Sequence, residues 1–183
     1  MLSDVYIREG DPFAFFESIY QEAKTDPGQI PWAHMEINPD FSEWLRQNPI
    51  QGSGQNALVI GCGLGDDAEA LSQCGFEVTA FDFSPTAIGW AKSRFPETKV
   101  HYQVADLLDP PEDWAQRYDW VLEIHTIQAL PIHIRQEVMA CIAIFIKPGG
   151  HLLVFCRARA ETSIPDGPPW PVCKKEMDYF KEF

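Results

Sequence analysis

From residue 56 to residue 158 the chain alternates between two hydrophobic patterns. Short runs, apolar at most positions, are followed by longer stretches in which apolar residues return every three or four places. The runs "NALVIG", "FEVTAFD", "TKVHYQVAD", "YDWVLEIHT" and "HLLVFCRA" predict five strands. Between them, "GDDAEALSQCG" predicts a helix ending at Gly75. "SPTAIGWAKSRF" predicts a helix capped by Ser84 with Pro85 in its first turn. "PIHIRQEVMACIAIFI" predicts a helix begun at Pro131 and stopped by "KPGG". Several strands are apolar on both faces, which marks a sheet covered on both sides by helices. Regular strand–helix alternation makes that sheet mostly parallel and the fold class α/β.

Before this region the pattern is looser. Asp11 and Pro12 read as the cap and first position of a helix, with Phe13, Phe16, Ile19 and Tyr20 at helical spacing. "KTDPGQIPWAHMEINPD" is too rich in Pro, Gly and Asn for regular structure. Phe41, Trp44 and Leu45 mark a short amphipathic helix begun near Pro39, and "DVYIRE" allows one short strand at the start. The expected organisation is one domain. Residues 1–50 form a helical lid, 51–157 the core, and 158–183 a loop and a last helix. Ligands of such sheets sit at the carboxyl ends of the strands, so the loops after residues 60, 81, 105, 124 and 156 hold the candidate site.

Length and composition narrow the field. The 183 residues suit one domain with one core. Twenty-seven acids against 14 bases give a formal charge of −13, which repels phosphate backbones and argues against a nucleic-acid partner. No apolar run is long enough to cross a membrane, and the first residues lack a signal-peptide pattern. The expectation is a cytoplasmic protein with a small-molecule substrate. Cys62, Cys74, Cys141, Cys156 and Cys173 never form a CxxC pair. That argues against a disulfide framework and against a zinc site, so no metal is expected.

The candidate chemistry begins at "LVIGCGLGDDAEAL", residues 58–71. Gly61, Gly63 and Gly65 follow the first strand, where small residues let a ligand approach the backbone. A dinucleotide site places a pyrophosphate on the bare start of the following helix. Here Asp66 and Asp67 occupy that start, and two carboxylates beside two phosphates repel. S-adenosyl-L-methionine carries no phosphate and has a positive sulfonium, so it suits an acidic helix start. Asp82 ends the second strand 21 residues after Gly61, where a carboxylate accepts hydrogen bonds from ribose hydroxyls. Asp106 ends the third strand, placed to accept from an adenine amino group. A turn or capping role is the competing reading for both.

These residues, with "DWVLEIHTIQALP" and "IKPGGHLLV", resemble a class I S-adenosylmethionine-dependent methyltransferase. The glycine motif with Val59 in the preceding strand, "PWA" at 31–33, "QALP" at 128–131 and "DGPPWPV" at 166–172 are similar to the thiopurine, thiol and halide methyltransferase branch. The resemblance implies a Rossmann-like sheet and a cofactor converted to S-adenosyl-L-homocysteine. It implies that Gly61, Gly63 and Gly65 line the methionine portion and ribose, that Asp82 holds the ribose, and that Asp106 and Leu107 frame the adenine. Trp32 would pack over the cofactor, or else only staple the N-terminal segment down. Cys62, Asp67, Phe83 and Glu123 complete the implied cofactor set.

Methyl transfer from sulfur is an in-line displacement that demands alignment and exclusion of water. A thiolate needs no strong base, whereas an alcohol does. Glu123 and His125, at the end of the fourth strand, are the catalytic candidates; alternation along the strand puts them on one face and Ile124 on the other. His34, His125 and Trp170 are the substrate candidates, each weighed against a structural role. Arg157 and Arg159 read as balancing surface acids rather than binding a substrate anion. The leading expectation is methylation of a thiol or other soft nucleophile on a small molecule. The alternatives are an O- or N-methyltransferase using His125 or Glu123 as base, and a binding module without catalysis. Relatives continue after "KKEMDYFKEF" into an antiparallel hairpin beside the fifth strand. Its lack here leaves "HLLVFC" as an apolar edge, from which a homodimer, a swapped arrangement that covers the edge, or reduced stability is expected.

Overall fold

The computed structural model describes residues 13–183 apart from 25, 164 and 166. The expectations on "DVYIRE", Asp11 and Pro12 lie outside the described residues. Five strands, β1 (Asn56–Ile60), β2 (Glu77–Asp82), β3 (His101–Val104), β4 (Tyr118–Ile124) and β5 (Ile146–Phe155), form one sheet. Their order is β3-β2-β1-β4-β5, and every pair is parallel. The helices are α1 (Ala14–Ala23), α2 (Pro39–Gln47), α3 (Asp66–Gln73), α4 (Pro85–Arg94), α5 (Thr126–Ala129), α6 (Arg135–Ile144) and α7 (Lys174–Met177). None of them is long and apolar enough to cross a membrane.

Two-residue periodicity divides the core. On β1, Leu58 and Ile60 join Phe81, Val121, Val138 and Ile142 on one face. Ala57 and Val59 join Phe41, Leu71, Val78, Ile88 and Leu122 on the other. One face is thus covered by α6 and the other by α2, α3 and α4. Each large side chain buried this way contributes about 1.5–3 kcal/mol. Register fixes the centre, with Val59 beside both Ala80 and Leu122.

Local chemistry starts the helices where the sequence places them. The Ser84 hydroxyl accepts from the Ala87 N–H at 2.9 Å, with Pro85 next in line. Asn38 caps α2 through the N–H groups of Asp40 and Phe41. Helix α3 has no side-chain cap; its first turn instead carries Asp66, Asp67 and Glu69, which suit the positive helix end.

The structure departs from the pattern in four places. The run from residue 98 to 106 yields only four residues of β3, because the Thr98 hydroxyl takes the Val100 N–H at 2.9 Å and competes with the ladder. "YDWVLEIHT" stops at Ile124, since His125 has a left-handed backbone with φ 64°. The stretch from Pro131 is split: Ile132–Ile134 form a 3-10 turn and α6 starts at Arg135. "KPGG" lies inside β5 rather than after a helix. Pro148 and Gly149 (φ 81°) sit where the register with β4 shifts. An edge strand tolerates both a proline and an irregularity. Among the described residues β5 pairs only with β4 in the sheet.

Candidate active site

The order β3-β2-β1-β4-β5 reverses direction between β1 and β4, and a large cavity opens at the carboxyl ends of those strands. Its volume is about 850 Å³, room for a nucleoside cofactor and a small acceptor. Trp32, His34, Gly61, Cys62, Gly63, Gly65, Asp67, Asp82, Phe83, Leu107, His125 and Trp170 all line it. Two expected residues do not. Asp106 is absent from the wall, where Ala105 and Leu107 stand instead; its Oδ1 accepts from the Leu108 N–H at 2.8 Å and shapes a turn. Glu123 is likewise absent from the wall.

The glycines after β1 are demanded by the protein's own packing. A Cβ on Gly61 (φ 58°) would lie 2.4 Å from the Thr126 hydroxyl, and one on Gly65 (φ 95°) 2.4 Å from the Tyr102 hydroxyl. Both positions also need the left-handed backbone that glycine adopts freely. Asp82 stitches this loop to β2: one carboxylate oxygen accepts from the Gly63 N–H and the other from the Ser84 N–H, each at 2.9 Å. Burial raises its pKa and those N–H groups oppose the rise.

The two aspartates at the start of α3 part company. Asp66 forms a two-pronged pair with Arg94, both contacts at 2.7 Å. Asp67 takes the Asn38 N–H at 2.7 Å, and burial pushes its pKa up to about 6. Only Asp67 therefore brings an unneutralised carboxylate to the helix start.

Helix α1 roofs the cavity with Phe13, Phe16 and Tyr20. Glu17 fastens it: its carboxylate accepts from the Ser84 hydroxyl, from the Thr86 hydroxyl at 2.6 Å and from the Thr86 N–H at 3.3 Å. Tyr20 accepts from the Trp32 indole N–H at 2.9 Å, and Trp32 meets Phe16 edge-on. Phe83 stacks on Phe13 at 5.1 Å. Sequence reasoning missed Glu17 and the Tyr20 hydroxyl. Glu17 meets its partners 67 and 69 residues away, so no local pattern marks it.

At the end of β4 the expected alternation fails, because the strand ends at Ile124 and the left-handed turn at His125 redirects the chain. Ile124 and His125 both face the cavity, while Glu123 turns inward and is 0% exposed. Its Oε1 accepts from Thr126 N–H at 2.5 Å and Ile127 N–H at 3.0 Å, fixing the start of α5. Among the described residues its Oε2 has no hydrogen-bond partner, and burial pushes the pKa up to about 7. Glu123, expected as a base or cofactor contact, thus stands outside the cavity wall and supports from beneath the turn that carries His125. Burial, then the positive charge of Arg157, holds the His125 pKa below its usual value, with Asp40 opposing.

The two arginines after β5 also separate. Arg159 pairs with Glu176 at 2.8 Å and donates to the carbonyls of Pro171 and Ser163. Arg135, 2% exposed, reaches the other Glu176 oxygen at 2.6 Å and the Trp170 carbonyl at 2.7 Å. Gln128 ties down both segments, accepting the Trp170 N–H through its backbone carbonyl and the Arg157 N–H through its side chain. Trp170 is thereby set in the wall of the cavity, which Arg157 also lines.

Comparison with known proteins accords with this geometry. Residues 57–150, just over half of the chain, match the family model described as "Methyltransferase domain". The "Ubiquinone biosynthesis O-methyltransferase" of Bordetella avium (strain 197N) is 31% identical over 116 residues, 62% of this chain and 47% of that protein. That of Coxiella burnetii (strain RSA 493 / Nine Mile phase I) is 31% identical over 144 residues, 78% of this chain and 59% of that one. The chain thus spans about half the length of these curated relatives. The "2-heptyl-1-hydroxyquinolin-4(1H)-one methyltransferase" of Mycobacteroides abscessus is 27% identical, over 88% of this chain and 72% of that one. Among solved structures, one described as "Conversion of a Disulfide Bond into a Thioacetal Group during Echinomycin Biosynthesis" has a TM-score of 0.75 at 23% identity, covering 93% of this chain and 77% of that one. The N-methyltransferase NodS of Bradyrhizobium japonicum WM9 has a TM-score of 0.59 at 23% identity, covering 76% and 71%. With a parallel five-stranded sheet, a glycine loop after β1, an acid ending β2 and the family match across the core, the chain belongs to the class I S-adenosylmethionine-dependent methyltransferases.

Proposed function

We propose that the chain holds S-adenosylmethionine across the ends of β1 and β2 and methylates an oxygen of a small, largely apolar acceptor, with His125 as base. The observation that carries this reading is a single cavity lined by the glycine loop, a buried carboxylate at the end of β2 and an imidazole whose pKa is lowered by burial and the Arg157 charge. The wall near the loop fits the cofactor chemically. Asp67 and Asp82 favour a cationic ligand and disfavour a diphosphate. The Asp82 carboxylate accepts backbone N–H groups of Gly63, Ser84 and Phe83 and keeps acceptor capacity for a ribose hydroxyl. Phe83, Leu107 and Trp32 offer apolar faces for the base and ribose, and Gly61, Cys62 and Gly63 leave room for the methionine chain.

When bound, S-adenosylmethionine supplies an electrophilic methyl group. The chain's own residues do the rest. Phe13, Phe16 and Tyr20 exclude water from above, and Trp170 with Pro168 and Pro169 closes the acceptor side. His125 accepts the acceptor's hydroxyl proton. Burial and the Arg157 charge shift the imidazole toward its unprotonated, proton-accepting form. Oxygen as the nucleophile also agrees with the names of the similar proteins, two of them O-methyltransferases and one acting on a hydroxyquinolone.

A second reading, methylation of a thiol, is favoured by one observation. Residues 31–33, 128–131 and 168–170, which carry the resemblance to the thiol-directed branch, all line the same cavity. One experiment separates the two. S-adenosylhomocysteine is titrated calorimetrically into wild type and Asp82→Ala, and turnover is then measured on paired hydroxyl and thiol acceptors. The oxygen reading expects His125→Ala to lower hydroxyl methylation about 10²–10⁴-fold. Thiol turnover indifferent to that change supports the second reading. Cofactor binding without turnover on either marks a binding module and sinks both.

A further inference from the structure

The strand order lays charge along the mouth of the cavity in sequence. Asp82 ends β2, the glycine loop follows β1, His125 follows β4, and Arg157 follows β5. Adjacent strands are about 5 Å apart, so Arg157 stands roughly 10 Å from the β1 end, beyond His125. Among the described residues it is the only Lys or Arg that lines the cavity. Every other described arginine is paired with an acid: Arg46 with Glu43, Arg94 with Asp66, Arg117 with Asp113, and Arg135 and Arg159 with Glu176. Among the described residues the Arg157 guanidinium has no such partner, in a chain that carries 27 acids.

Its backbone is nevertheless held firmly. The Arg157 N–H donates to Gln128 Oε1 at 2.5 Å, and its carbonyl accepts from the Val172 N–H at 2.8 Å. The guanidinium is therefore anchored at its root and uncommitted at its tip, and its charge is close enough to bear on His125. A net charge of −13 would repel an anionic ligand from this cavity unless a dedicated cation received it. A guanidinium is suited to that task, because its planar fork matches a carboxylate.

We propose that Arg157 is a specificity-determining residue that receives a carboxylate on the methyl acceptor, so that the substrates are small aromatic or apolar acids whose nucleophile lies toward His125. This rests on the cavity being the methyl-transfer site. The same chemistry exists on the cofactor's own amino-acid end, and the test distinguishes the two sources.

The probes are 4-hydroxybenzoate and its methyl ester, which differ only in the charge at one end. Both are titrated into the protein saturated with S-adenosylhomocysteine and assayed as acceptors, using wild type, Arg157→Ala and Arg157→Lys. The wild type should bind the acid at least about tenfold tighter than the ester, as expected for a hydrogen-bonded charge pair. Arg157→Ala should abolish that preference by weakening the acid alone, chiefly in KM, and Arg157→Lys should restore part of it. Affinity for S-adenosylhomocysteine should stay within about twofold. Equal affinity for acid and ester in the wild type, or no binding of the acid, overturns the proposal. So does a large loss of S-adenosylhomocysteine affinity in Arg157→Ala, which would assign the arginine to the cofactor. Failure of the methyltransferase reading shows separately, as no heat with S-adenosylhomocysteine. The acid-versus-ester comparison is then read on the protein alone and still decides whether Arg157 binds a carboxylate.

Discussion

His125 and Glu123 form one device seen from two sides. A left-handed backbone at a non-glycine residue costs about 1–2 kcal/mol, and here it turns the imidazole into the cavity. His125→Gly should therefore melt no lower than wild type by calorimetry while losing hydroxyl methylation, a separation that a purely structural histidine would not show. Glu123 holds the same turn from beneath. Its folded pKa of about 7 lies above the ordinary 4.5, so the folded state binds the extra proton between those values. The stabilisation is complete below about 4.5 and is lost as pH rises through about 7. Glu123→Gln keeps an acceptor for the two N–H groups without the charge. Denaturant titrations across that window should show a flatter stability profile than wild type and a more stable protein at pH 8. A profile unchanged by the substitution would remove Glu123 from the account.

At the scale of elements, the close meeting of β1 and α5 explains the glycine at 61. Gly61→Ala should be strongly destabilising, by more than about 2 kcal/mol, since it adds a clash to the conformational cost. Adding Thr126→Ala removes the atoms that lie 2.4 and 3.3 Å from the new Cβ and leaves Thr126 Cβ at 3.5 Å. The double variant should recover most of the loss, and no recovery would mean that backbone strain alone is responsible. The elements themselves were largely legible. β1, β2, β4 and α2 to α4 lie where hydrophobic period, Ser84 and the prolines put them, because those signals act over a few residues. The fold class followed from their alternation. What escaped reading depended on distant partners: Glu17 on Ser84, Arg135 and Arg159 on a shared Glu176, and Arg157 on the absence of any acid beside it. The side to which Glu123 turns was misread for another reason. Alternation holds only while the strand continues, and the left-handed residue that ends it is a histidine, which no composition rule flags.

In the molecule as a whole, one carboxylate links the roof to the core. Glu17 belongs to α1 over the cavity, yet it bonds the first turn of α4, and Ser84 in turn bonds Asp82 at the cavity floor. Glu17→Gln should speed amide exchange across α1 and the first turn of α4 while leaving β1 and β4 protected, with a local opening energy about 1–3 kcal/mol lower. Exchange that quickens everywhere would indicate global destabilisation instead. The linkage also has a temporal consequence. Lifting the roof breaks the Glu17 bonds to Ser84 and Thr86 at the start of α4, so opening beneath α1 carries the cost of those bonds. A ligand leaving beneath α1 is therefore expected to dwell longer with those bonds intact than in Glu17→Gln, a difference that a dissociation-rate measurement would show.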